Sequence, residues 1–84
     1  MKFLKRKRYK DDLAKLLANN SCILEKLDAL LLAIAISPKK GIGSPHQRHG
    51  YLWSRRIVGK HRLVYEIKEG CIVFLSCYGH YEDH

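Results

Sequence analysis

Apolar residues recur at Tyr9, Leu13, Leu16 and Leu17, the three- and four-residue spacing of one helix face. Asn19-Asn20-Ser21 interrupts that spacing, and Asn20 or Ser21 can cap a second helix. Its stripe is Ile23, Leu27, Leu30, Leu31 and Ile34. Leu24, Leu32 and Ile36 widen the stripe, so this helix is expected to be mostly buried. Ser37-Pro38 ends it, because the residue before a proline is pushed out of the helical region. The pattern predicts an antiparallel helical hairpin. Asp11 and Asp12 are expected in the first helical turn, where the helix dipole favours acids. Ahead of the hairpin, Lys2 to Lys7 reads as a short edge strand anchored by Phe3.

Beyond the hairpin the period changes. Residues 39–50 read as a polar loop with three glycines and Pro45. Three strands then follow near 51–58, 61–67 and 71–78, joined at Gly59-Lys60 and Lys68-Glu69-Gly70. Connections this short exclude parallel crossovers, so the strands are antiparallel. The expected fold is α+β, two N-terminal helices packed on an antiparallel β-sheet, in one domain spanning residues 1–84.

Side-chain parity gives these strands chemistry. Tyr51, Trp53 and Ile57 share one face, as do Leu63, Tyr65 and Ile67. If those faces meet the helices, Ser54, Arg56, Arg62 and Val64 point the other way. A two-residue turn at Gly59-Lys60 would instead set Arg55 beside Arg62. Either register leaves two guanidiniums close together, and no carboxylate occurs between Tyr51 and Tyr65. Such a pair is stable when an anion bridges it.

Charge points the same way. Sixteen Lys and Arg against eight acids leave +8, an excess that favours polyanions such as nucleic acid. Three cysteines without C-x-x-C spacing suggest reduced, buried thiols. The basic N-terminus has no apolar run after it, so it is not a signal peptide, and Ala29 to Ile36 is too short to span a bilayer. A cytoplasmic protein with no membrane contact is the expectation.

Cleaving RNA at its own 2′-OH needs a base, a cation for the crowded phosphorane and an acid for the leaving 5′-oxygen. Arg62 and Arg56 suit the cationic role, because a guanidinium can hold two phosphate oxygens. His80 suits the acid role and His46, in the loop, is the nearest base. Arg48 and His49 of the same loop, with Arg55, complete the candidate RNA- and phosphate-binding set. His46-x-x-His49 and His80-x-x-x-His84 lack the further ligands a metal site needs, so no metal or other cofactor is expected.

Three segments carry a family resemblance: W-S-R-R-I at Trp53 to Ile57, H-R-L-V-Y at His61 to Tyr65, and C-x-G-H-Y at Cys77 to Tyr81. Asp11-Asp12, Pro38 and Gly41-x-Gly43-x-Pro45 add weaker support. Over nearly its whole length the chain resembles the YoeB/Txe toxins of the RelE superfamily. The resemblance implies a microbial-ribonuclease-like fold and ribosome-dependent cleavage of mRNA in the A site. It also implies inhibition by a YefM-like antitoxin whose disordered tail wraps the toxin; a homodimer is a further expectation.

Residue by residue, the resemblance implies that Arg62 binds the phosphate, that His80 is the general acid with Tyr81 beside it, and that Arg56 is the second arginine. The family's general base is a glutamate in a G-x-G-x-P-E-x-L-K loop. Here that loop reads Gly41-Ile42-Gly43-Ser44-Pro45-His46-Gln47-Arg48, with His46 in the glutamate's place, and the chain runs about three residues shorter before Gly50. Two readings follow: an enzyme with a His46/His80 pair, or a weakened toxin that still binds antitoxin, RNA and ribosome.

Overall fold

The computed structural model describes residues 2–19 and 22–79. The order is β1 (Lys2–Lys5), α1 (Lys7–Asn19), α2 (Ile23–Ile36), β2 (His46–His49), β3 (Leu52–Val58), β4 (His61–Lys68) and β5 (Cys71–Ser76). The five strands form one sheet in the order β1-β5-β4-β3-β2, and the fold is α+β. α1 contacts β5 and α2 contacts β3, so both helices cover one face.

The apolar pattern explains the core. Tyr9 and Leu16 of α1 join Ile23, Leu27, Leu30 and Ile34 of α2 over Ile57, Leu63, Tyr65, Ile72 and Phe74 of the sheet. Phe74 anchors the aromatic part, with the rings of Phe3 at 5.1 Å and Tyr9 at 5.4 Å. Asp12 closes the end of β5. Its Oδ2 accepts the Cys77 N–H at 3.1 Å and lies 3.7 Å from Arg8 Nε.

Several expectations change. Helix α1 begins at Lys7, so Asp11 and Asp12 fall in its second turn, and Asp12 serves a tertiary contact. The proposed caps Asn20 and Ser21 lie outside the described residues; Cys22 occupies the N-cap position. Helix α2 is not mostly buried: Leu24, Leu32 and Ile36 are 47, 64 and 77% exposed, because only one stripe of the helix meets the sheet. Strand β1 pairs with β5 in parallel, a connection made possible by the whole chain lying between them, while β2 to β5 are antiparallel. Residues 46–49, expected in a loop, form edge strand β2 against β3. All three cysteines are free thiols, but only Cys77 is buried and Cys22 is exposed. Among the described residues no helix is long and apolar enough to cross a membrane.

Candidate active site

The face of the sheet away from the helices carries the site. Arg56 and Arg62 are cross-strand partners, one of the two registers that parity allowed. A bulge makes it possible: Arg56 opposes Arg62 but Val58 opposes His61, so Ile57 is the extra residue and remains in the core. Ser54, two residues before Arg56, faces the same way and is fully buried.

Ser54 is the hub. Its Oγ accepts Arg62 Nε at 2.9 Å and Arg48 Nε at 3.0 Å, so one hydroxyl uses both lone pairs on two guanidiniums. Arg62 Nη2 donates to the Ser44 carbonyl at 3.0 Å and the Ser54 carbonyl at 3.2 Å. Three bonds therefore fix the plane of this guanidinium. Among the described residues, Arg62 Nη1 has no hydrogen-bond acceptor. Burial first, and then the charges of Arg48 and Arg56, lower the Arg62 pKa below the usual guanidinium value. No carboxylate among the described residues forms an ion pair with Arg56 or Arg62. The result is a cationic cluster whose guanidiniums can bind an anion with two or three oxygens.

The glycine-containing loop before β2 supplies the Ser44 carbonyl. Gly43 has φ of +84°, and a Cβ there would sit 2.7 Å from Leu30 Cδ2 and 3.1 Å from the Arg56 carbonyl oxygen. Its carbonyl accepts the Arg56 N–H at 2.6 Å. The absence of a side chain thus lets the loop press against β3, and Ser44 follows in a left-handed conformation at φ 49°.

His46 opens β2 directly opposite Ser54, exposed and on the same face as the arginine cluster. His49 pairs with Leu52, farther along that strand from Arg62. His80 and Tyr81 lie outside the described residues. The residue before them, Gly79, does not: its carbonyl accepts the Arg62 N–H at 3.1 Å. Among the described residues no cluster of three or more potential metal ligands occurs.

Arg55 requires a correction. It shares the helix-facing side with Trp53 and Ile57 and is 0% exposed. Its Nε donates to Tyr65 Oη at 3.1 Å, Nη1 to the Ile42 carbonyl at 3.1 Å, and Nη2 to the carbonyls of Ser37 at 2.6 Å and Lys40 at 2.8 Å. The Tyr65 hydroxyl in turn donates to the Pro38 carbonyl at 2.6 Å. This guanidinium binds the end of α2 and the loop beyond it, and no phosphate can reach it. Sequence reasoning missed Ser54 and the Ser44 carbonyl as partners of Arg62, although the parity of Ser54 with Arg56 and Arg62 was a signal.

A family model for "YoeB-like toxin of bacterial type II toxin-antitoxin system" matches residues 5–81. The curated Toxin YoeB of Synechocystis is 40% identical over 67 residues, 76% of this chain and 78% of that protein. A solved YoeB/ParE toxin from Agrobacterium tumefaciens is 28% identical, covers 96% of this chain and 100% of its own, and superposes with a TM-score of 0.87. YoeB from Staphylococcus aureus has been solved as a dimer, with a TM-score of 0.83, and in a heterotetrameric complex with YefM, with a TM-score of 0.80. Both are 28% identical and cover 96% of this chain and 98% of their own. The match over nearly the whole length, in sequence as in fold, makes this chain a member of the YoeB-like toxins of bacterial type II toxin–antitoxin systems.

Proposed function

We propose that this toxin cleaves mRNA at the ribosomal A site by attack of the 2′-OH on its own phosphodiester. The observation that carries the reading is the guanidinium of Arg62, held by Ser54 and Ser44 with Arg48 and Arg56 nearby. In the reaction a base takes the 2′-OH proton and the 2′-oxygen bonds to phosphorus. The bond to the 5′-oxygen then breaks as an acid protonates it, leaving a 2′,3′-cyclic phosphate and a 5′-hydroxyl. Arg62 Nη1 stabilises the charge that develops on the non-bridging oxygens. His46, across β2–β3 from Ser54, is the base we assign. His80 is the acid and Tyr81 its neighbour, on the strength of the family resemblance alone. Arg56, Arg48 and, farther out, His49 hold the flanking backbone.

The partner we assign is an acidic, YefM-like antitoxin. The solved Staphylococcus aureus YoeB–YefM complex and the net charge of +8 support it. The Staphylococcus aureus dimer likewise supports a two-copy assembly, checked by sedimentation.

The test is in vitro translation with mapping of mRNA 3′ ends. Wild-type protein should cut within the A-site codon, and His46→Glu should cut on a pH profile whose acidic limb lies lower, since a carboxylate titrates about two units below an imidazole. Intact mRNA with wild-type protein, but antitoxin binding retained, would establish the weakened-toxin reading instead.

A further inference from the structure

β5 ends at Ser76, yet the chain after it stays attached to the start of β4. Two hydrogen bonds do this, both at Gly79. Its carbonyl accepts the Arg62 N–H at 3.1 Å. Its N–H donates to the imidazole Nδ1 of His61 at 2.8 Å. In a regular ladder a backbone carbonyl would receive that N–H; here a side chain does.

The His61 ring is itself held. It lies 4.5 Å from the ring of Tyr78, tilted by 40°. Tyr78 packs against the core, and Lys15 Nζ of α1 sits 5.8 Å from the centre of its ring. Because Gly79 is the donor, Nδ1 must be unprotonated, which assigns the Nε2–H tautomer. Gly79 is buried with φ of +84°, a conformation that other residues rarely adopt. His61, Tyr78 and Gly79 thus form one clamp on the chain immediately before His80.

We propose that His61 is a positioning residue: through Nδ1 it holds Gly79, the residue that precedes His80 in the chain, on β4 beside Arg62. The catalytic consequence rests on the cleavage reading above; the docking itself does not. His61 touches no substrate in this scheme. Its role is to fix Gly79, one residue before the assigned acid in sequence, relative to the phosphate-binding guanidinium. A misplacement of about 1 Å can cost on the order of a hundredfold in rate.

The experiment uses isotopically labelled full chain as wild type, His61→Leu and His61→Asn. Leucine keeps apolar bulk against Tyr78 but accepts no hydrogen bond. Asparagine places an oxygen acceptor near the position of Nδ1. In the wild type a through-hydrogen-bond coupling should link the Gly79 amide nitrogen to His61 Nδ1. In His61→Leu the Gly79 amide should exchange about tenfold faster, reporting local opening. Single-turnover mRNA cleavage at saturating toxin should fall roughly tenfold to a hundredfold, while the half-saturating concentration stays within about twofold. His61→Asn should recover most of the rate and the Gly79 protection. Absence of the coupling, with unchanged Gly79 exchange in His61→Leu, overturns the docking. Docking with full cleavage by His61→Leu overturns the positioning role. If the wild type cuts nothing, the cleavage reading fails, and the coupling and exchange still decide whether His61 docks the chain.

Discussion

Arg55 and Arg56 are adjacent in sequence and opposite in role, and replacing each with alanine separates them. In Arg55→Ala the carbonyls of Ser37, Lys40 and Ile42 and the Tyr65 hydroxyl lose their guanidinium partner. A buried acceptor left unmade costs about 1–3 kcal/mol. Lys40 and Ile42 are exposed residues, so water can replace part of the loss, and we take about 1 kcal/mol for each of the three carbonyls. The sum is about 3 kcal/mol before any cavity left by a fully buried side chain. An 84-residue chain is stable by roughly 4–13 kcal/mol at ordinary stability per residue, so this is a large fraction. At about 4–8 °C per kcal/mol for a domain this size, Tm should fall by roughly 12–24 °C. Arg56 is exposed, so Arg56→Ala should melt near wild type and lose cleavage instead. Circular dichroism melts of both variants, beside cleavage below the lower Tm, give the answer. An Arg55→Ala protein that melts within about 3 °C of wild type yet no longer cuts would refute the structural role and return Arg55 to the phosphate site.

Further expectations concern the site and the core. Arg62→Ala takes the guanidinium from two carbonyls and from Ser54 Oγ, so its Tm should fall as well; assayed below that Tm it should slow mRNA cleavage about a hundredfold or more, and unimpaired cleavage would remove Arg62 from the mechanism. Ser54→Ala removes the hydroxyl acceptor that Arg48 and Arg62 share and should slow cleavage about tenfold, while Arg62 keeps its two carbonyl contacts; no change would show that Ser54 does not orient the cluster. Gly43→Ala should destabilise by about 2 kcal/mol or more, because its Cβ would press on Leu30 and the Arg56 carbonyl at positive φ, and an unchanged urea midpoint would contradict the close approach. Burial raises the Cys77 thiol from 9.0 to about 12 and the Tyr9 phenol from 10.0 to about 12. The folded state therefore holds these protons longer than the unfolded chain, so their stabilisation is complete below pH 9 and declines between about 9 and 12. Cys77→Ala should show a shallower alkaline decline in urea titrations, and an identical slope would exclude the thiol.

Periodicity made some of this legible and concealed the rest for identifiable reasons. Tyr9, Leu16, Leu27, Leu30 and Ile34 could be read as core because helical spacing reports which side of a helix is apolar. It does not report how wide a stripe the neighbouring sheet can cover, and Leu24, Leu32 and Ile36 were assigned to the core for that reason. Strand β2 was hidden because His46-Gln47-Arg48-His49 is polar and lies at an edge, where backbone pairing replaces an apolar signal. The pairing of Arg56 with Arg62 was visible in parity, and so was the inward direction of Arg55, which has the same parity as Trp53 and Ile57. What prevented that inference was composition, since arginine is seldom fully buried. Only the four acceptors that converge from residues 37–42 and Tyr65 explain the exception.

The two interior guanidiniums also show how one local geometry can serve opposite ends. Arg55 uses four of its five N–H groups on protein acceptors and is thereby satisfied and inaccessible. Arg62 uses three bonds from Nε and Nη2, and among the described residues the nearby charges that act on it are the cations Arg48 and Arg56. Repulsion from Arg48 and Arg56 would be relieved most by an anion placed among them, which ties stability to occupancy of the site. Under the proposed function, phosphodiester and acidic antitoxin would compete for the same relief. A side chain able to exploit that position must carry negative charge or a bridging oxygen, so on the same proposal an acidic partner would both stabilise this toxin and silence it through a single cluster of arginines.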